Sequence, residues 1–207
     1  MITIEQLSDL IPAASDKNIE LFYRPINETL REYQINNRLR IAAFLAQIAH
    51  ESGSFRYTRE IWGPTDAQRR YDPPYPKATE LGNDTTEAKA IADVHDMTPG
   101  RFYSGHGLIQ ITGYFNHKKV SNAIGIDAVN NPSLLCEPKW AARSAGWFFI
   151  AHGKDGLNCN ELADRYRITD ITRVVNGGVN GLAERKKMYK NNLRILPEKD
   201  YLELSVR

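Results

Sequence analysis

The run RLRIAAFLAQIAHE, residues 38–51, is apolar around nearly its whole circumference. A helix of that kind has to be covered on most sides, so the rest of the chain must supply helices that wrap it, with Gly53 as its expected stop. Several segments fit. Thr3 stands three residues before Gln6 at the head of an apolar stripe that ends at Pro12, the spacing of a capping box. Residues 16–34 carry Ile19, Phe22, Tyr23, Ile26, Leu30 and Tyr33 at three- and four-residue steps, with Pro25 as a kink or break. TTEAKAIADVHDM and EPKWAARSAGWFFIAHG predict further helices, the second closed by Gly153. ITRVVN, with Asp170 as a candidate cap, is broken by NGGVNG, and LAERKKMYKNNLRIL runs to Pro197. Residues 63–84 hold Gly63, Pro64, Pro73, Pro74, Pro76 and Gly82 with little periodicity, which predicts a long functional or mobile loop. Gly100, Gly105, Gly107 and Gly113 punctuate short β-prone pieces, read as a small hairpin leading into a helix. The expected fold class is mainly α.

The 207 residues are expected to form a single domain, residues 1–207. With 42% hydrophobic and 25% charged residues the chain can bury a core and lacks the signature of disorder. Its 27 basic and 25 acidic residues are dispersed, so nucleic acid is not an expected partner, and the basic cluster ERKKMYKNNLR is read as a solvated helix face. Cys136 and Cys159 form no C-x-x-C pair, which fits a reducing compartment and leaves a single bridge open. The N-terminus lacks a basic stretch leading into an apolar run, and no 18-residue apolar segment exists. Neither a secretory signal nor membrane insertion is therefore expected.

Two carboxylates, Glu51 and Glu60, stand nine positions apart. Ile48 and Ala49 predict a dry helix face beside Glu51, a setting that raises a carboxylic acid's pKa and suits a proton donor. Glu60 lies after a Gly-Ser break among Arg56, Tyr57 and Arg59, a wetter and more basic setting that keeps a carboxylate ionised. Such a pair supplies the acid and base of glycoside hydrolysis. On spacing alone a helix-end residue and a surface ion-pair partner remain the plainer alternative. Gln110, Thr112 and Asn116 run along a predicted strand-to-helix junction, where Gln110 and Thr112 project to one side. Amide and hydroxyl groups there suit N-acetyl and hydroxyl groups of a sugar; a polar strand edge is the competing reading. His50-Glu51 lacks the second histidine of H-E-x-x-H, and the other histidines show no zinc spacing, so neither metal nor cofactor is expected.

The run RIAAFLAQIAHESGSFRYTREIW, the LGN at 81–83, GRFYSGHGLIQITGYFN and the late ITRVVNGGVNG together resemble family 19 glycoside hydrolases, over about residues 1–197. Within that family the chain looks most like single-domain bacteriophage endolysins and their prophage relatives. The resemblance implies a two-lobed, lysozyme- or chitinase-like helical fold with the β-hairpin region beside a cleft, and an inverting mechanism on a β-1,4-linked N-acetylated glycan. Glu51 then resembles the general acid and Glu60 the general base. Thr112 falls where the family has a Ser or Thr holding the nucleophilic water. Gln110, Asn116 and Asn176 match substrate-contacting positions, Tyr103 joins that expected substrate-binding set, and Arg185 sits where a buried arginine pairs with a catalytic carboxylate. Plant chitinases read G-R-G-P-I-Q and N-Y where this chain has GHGLIQ and NH, so roles attached to His106, Leu108 and His117 do not transfer. The plant enzymes also separate their glutamates by about twice as many residues and carry several disulfides.

The expected function is that of an endolysin that cuts the glycan strands of bacterial peptidoglycan. It is expected to be a monomer without a wall-binding domain, held in the host cytoplasm until a holin opens the way to the cell wall. Chitinase is the alternative; a lytic transglycosylase and a non-catalytic glycan-binding or virion protein are weaker ones. One straight helix through residues 51–60 would separate the Cα atoms by about 13–14 Å. Gly53 is therefore expected to turn the chain, so that the carboxyls can stand the roughly 6.5–9.5 Å apart that inversion needs.

Overall fold

The computed structural model describes residues 1–198. Twelve α-helices dominate those residues: α1 (Ile4–Leu10), α2 (Asp16–Glu32), α3 (Arg38–Glu51), α4 (Asp66–Arg69), α5 (Pro76–Leu81), α6 (Thr86–Val94), α7 (Pro99–Phe102), α8 (Tyr114–Ile124), α9 (Pro138–Ala151), α10 (Cys159–Asp164), α11 (Ile168–Asn176) and α12 (Leu182–Ile195). A 3-10 turn covers Pro132–Cys136, and β1 (Gly153–Lys154) pairs antiparallel with β2 (Leu157–Asn158). None of the described helices is long and apolar enough to cross a membrane.

The described residues fall into two compact units, one of residues 1–56 and 145 onward, the other of residues 57–144. In the first, α3 is the centre, packed by α12, α10 and α11. Every residue from Ile41 to Ala49 is buried, which is what an all-round apolar helix requires. Burying each of Ile41, Phe44, Leu45 and Ile48 contributes about 1.5–3 kcal/mol. The Thr3–Gln6 capping box starts α1 as expected. Pro25 lies inside a continuous α2, which buries Ile19, Phe22, Ile26 and Leu30. From the second half of α9, Phe149 meets Phe44 edge-on at 5.4 Å.

The second unit is built from shorter pieces around Tyr103, Tyr114, Phe102, Ala88 and Ala92. Residues 63–84 are not the long loop that the sparse periodicity predicts. They hold α4, opened by a Thr65–Gln68 capping box, and α5, opened by Pro76 and closed by Gly82 in the left-handed region at φ 75°. Helices of four and six residues are too short to write a period, so their caps are their only signature. The hairpin expected between Gly100 and Gly113 is reduced to single bridges, Arg59 with His106 and His106 with Ile111. The regular two-stranded hairpin lies instead at residues 153–158. Asp170 does not cap α11; Arg167 stands at that position and Asp170 lies in the first turn. Its carboxylate is held far below the usual range by bonds from Lys154 and Arg167. Cys136 and Cys159 are both free thiols.

Candidate active site

In the first unit, Glu51 is the last residue of α3. The chain then turns through three consecutive left-handed residues, Gly53 (φ 56°), Ser54 (62°) and Phe55 (66°). Two of the three carry side chains, a conformation that costs about 1–2 kcal/mol per residue and needs local support. That support is present: the Ser54 N–H donates to the Ala49 carbonyl at 2.7 Å, and the Phe55 N–H to Ser52 Oγ at 2.9 Å. The buried Phe55 ring also packs on Phe22 at 5.0 Å. The stop predicted at Gly53 is thus a bend spread over three residues.

Ile48 and Ala49 beside Glu51 are buried, as the sequence predicts; the Glu51 side chain itself is 18% exposed, and its Oε1 accepts from the guanidinium of Arg185, which is 1% exposed. A buried guanidinium needs acceptors. Gln47, one turn earlier on α3, provides the second through its Oε1, and Thr172 Oγ1 lies 3.3 Å from its Nε2. Arg185 therefore pairs with Glu51, as expected. Glu51 Oε2 accepts no hydrogen bond from the described residues. Beside it, His50 lies against Gly181, whose left-handed backbone leaves no room for a Cβ: one would stand 2.2 Å from His50 Nε2. Burial, with the charge of Arg185, lowers the His50 pKa. Asn176 stands at the end of α11, where its Oδ1 accepts from the Gly178 N–H and its Nδ2 donates to the Asn180 carbonyl, both at 2.9 Å. Those bonds shape the Asn-Gly-Gly loop.

In the second unit, Glu60 is held by dipoles instead of a charge. Its Oε2 accepts from the Gly105 N–H at 2.9 Å, and its own N–H donates to the Gly105 carbonyl at 2.8 Å. Its Oε1 accepts from Gln68 Nε2 at 2.9 Å, with Tyr71 Oη at 3.5 Å. The buried Gln68 amide is fully used: Nε2 also donates to the Ile61 carbonyl, and Oε1 accepts the N–H groups of Gly63 and Thr65. Burial, with the Glu60 charge, pushes the Tyr71 hydroxyl up to about 12, which keeps it a donor.

Gln110 does not lie on a strand; it occupies the left-handed region at φ 55°, so the predicted alternation with Thr112 fails. Its Nε2 donates to the Gly107 carbonyl, Thr112 Oγ1 donates to the Gln110 carbonyl, both at 3.0 Å, and Asn116 Nδ2 donates to the Thr112 carbonyl at 2.8 Å. The three expected residues are thus linked in one turn, with Thr112 and Asn116 partly exposed. Tyr103 does not join them. It is fully buried, its hydroxyl donates to the Val129 carbonyl at 3.0 Å, and its ring packs on Tyr114, so it is a core residue.

Next to Gly105 in sequence is His106, one of a buried histidine pair with His117. His117 Nδ1 lies 2.8 Å from the Gly113 carbonyl, so it carries the proton, and its Nε2 accepts from His106 Nδ1 at 3.2 Å. Burial, reinforced by His117 and Arg59, takes His106 to about 3, and burial takes His117 to about 4, so both rings are neutral. Sequence reasoning missed Gln47, Gln68, Tyr71 and Gly105. Only Gln68 had a signal, the Thr-x-x-Gln of its capping box.

The fold is that of known chitinases. Chitinase C from Streptomyces griseus aligns with a TM-score of 0.70 at 19% identity, over 94% of this chain and 76% of that one. A bacterial family 19 chitinase aligns with the same score over 96% of each. The family model described as Chitinase class I, for glycoside hydrolase family 19, matches residues 29–166, and the chain belongs to that family. A "Glycosyl hydrolase family 19 domain-containing protein" of Haemophilus influenzae is 29% identical over 81% of this chain and 86% of its own length. "Endochitinase 4" of Solanum tuberosum is 32% identical over 67% of this chain, which spans only 48% of that protein. The chain is a chitinase-like glycoside hydrolase.

Proposed function

We propose that the protein is an endolysin that hydrolyses the β-1,4-glycosidic bonds of peptidoglycan with inversion, Glu51 acting as general acid and Glu60 as general base. The observation that carries the assignment is the difference between the two carboxylates. Glu51 is fixed through one oxygen by Arg185, and its other oxygen accepts no bond from the described residues, which leaves it open to the glycosidic oxygen. Glu60 accepts from N–H donors at both oxygens, which stabilises an acceptor-only carboxylate. In the reaction Glu51 gives its proton to the glycosidic oxygen as the C1–O bond breaks. A water attacks C1 from the opposite face and loses a proton to Glu60. Thr112, whose hydroxyl hydrogen is taken by the Gln110 carbonyl, keeps oxygen lone pairs that accept the water's second hydrogen. Gln110, Asn116 and Asn176 are assigned to sugar contacts.

The nine-residue spacing of the glutamates and the two cysteines support the endolysin branch over the plant enzymes. On this reading the protein is a monomer, stays in the host bacterial cytoplasm and reaches the wall through lesions made by a holin. Chitinase is the second reading, favoured by the endochitinases among the relatives. The test is turnover of purified peptidoglycan against soluble chitin, together with turbidity loss of outer-membrane-permeabilised cells. Lysis and release of peptidoglycan fragments by wild type are expected; full lysis by Glu51→Gln sinks the acid assignment, and turnover of chitin alone sinks the peptidoglycan reading.

A further inference from the structure

We propose that the concavity beside Glu60 is a subsite for an anionic substituent of the glycan, and that Arg59 and Arg101 select for it. The inference rests on the reading of the protein as a peptidoglycan hydrolase and names the part of that substrate that is recognised. The concavity lies wholly in the second unit, encloses about 320 Å³ and is lined by Arg59, Arg101, Trp62, His95, Phe102 and Glu60, among others. That volume is at the small end of ligand sites.

Its charge is unbalanced. Arg59 and Arg101 are exposed and form no ion pair among the described residues. Glu60 is the one acid in the lining; it accepts from Gln68 and Gly105 and forms no ion pair with either arginine among the described residues. Asp72, near the start of α7, is taken by the Thr98 hydroxyl and the Gly100 N–H. Arg59 and Arg101 therefore line the concavity with their carboxylate-binding capacity unspent. His95 stacks on Phe102 at 4.7 Å and 22°, giving an apolar wall beside them.

Arginine's planar fork binds carboxylates through paired, charge-assisted bonds. A chitin chain presents hydroxyl and N-acetyl groups and has nothing for such a pair to hold. Peptidoglycan carries on every second sugar a lactyl-linked peptide with free carboxylates, and that substituent supplies the missing partner and an alkyl backbone for the Phe102 wall.

The test compares binding of N-acetylmuramoyl dipeptide with the same compound amidated at its carboxyls, by NMR titration at low salt. Wild type should bind the charged compound about tenfold tighter, a difference that shrinks as salt rises. Arg101→Gln should cut the preference to about threefold. Arg59→Gln/Arg101→Gln should abolish it, and Arg101→Lys should keep part. Equal binding of the two compounds to wild type, binding of neither, or a preference that survives in the double variant would overturn the subsite. Because cleavage is not read, a wild type that fails to cut peptidoglycan sinks the endolysin reading alone, and a missing charge preference sinks the subsite alone.

Discussion

The two units hold their glutamates by opposite means. In the first, a rigid buried helix ends on Glu51, and a buried Arg185 fixes the carboxylate through charge. In the second, short helices and single bridges surround Glu60, and a backbone N–H with a neutral amide fixes it through dipoles. The difference teaches that one side chain type can be prepared for two roles. A lone guanidinium orients one oxygen and leaves the other free, whereas two opposed N–H donors define an acceptor. It also separates stability from chemistry: removing Glu51 strands a buried cation, while removing Glu60 leaves only neutral donors unpaired.

The largest expected effect tests whether both holders serve the same reaction. Glu51→Gln and Glu60→Gln should each lose about 10³-fold or more of cell-wall lysis, since an amide neither donates the proton nor takes it; a variant within tenfold of wild type breaks its half of the comparison. Next is stability, read by urea unfolding. Glu51→Leu should cost about 3 kcal/mol, because Arg185 keeps its charge without a counter-ion. Glu60→Leu should cost about 1 kcal/mol. Equal costs would mean that the charge on Arg185 is compensated elsewhere. Thr112→Ala should lower the turnover about 10- to 1,000-fold while leaving the unfolding midpoint nearly unchanged, because it orients water without exchanging the essential proton; wild-type rates reject that role.

The smallest effect is a pH signature that distinguishes the units. His106 and His117 have folded pKa values near 3 and 4, below the ordinary 6.5. Below pH 6.5 the unfolded chain takes up protons that the folded chain refuses, so stability is full above that pH and falls as the pH drops toward 4. Between pH 7 and 5.5 the loss is about 1 kcal/mol per histidine. Asp170 in the first unit works in the same sense but at lower pH: its depressed pKa keeps its contribution intact until the pH falls below the ordinary aspartate value of 3.8. Amide exchange at pH 7 and 5.5 should therefore show protection lost first around residues 104–117, and uniform loss over both units would contradict the assignment.

The first unit was the more legible in sequence because its determinants are long and periodic. The all-apolar 38–51 segment, the Thr3–Gln6 box and the LAERKKMYKNNLRIL helix need only one or two rules each. Glu51 and its Arg185 partner came from the resemblance and stand together in the fold. The second unit hid its structure in brief elements. Thr65–Gln68 is a readable cap in a stretch whose sparse periodicity predicts loop. The left-handed backbone of Gln110 leaves no mark in an apolar pattern, which therefore predicts a strand. Tyr103 carries a polar handle that satisfies a buried carbonyl as readily as a sugar. The Gly105 N–H that holds Glu60 belongs to the backbone, and no side chain announces it.

The most direct test of the two-carboxylate mechanism is mass spectrometry of peptidoglycan digested by the wild type in ¹⁸O-labelled water. Hydrolysis by an acid and a base acting on water puts one ¹⁸O at each new reducing end, and the identity of that end, muramic acid or glucosamine, fixes which bond is cut. Anhydro-muramic ends without label would contradict the mechanism, and an undigested polymer would contradict the peptidoglycan substrate.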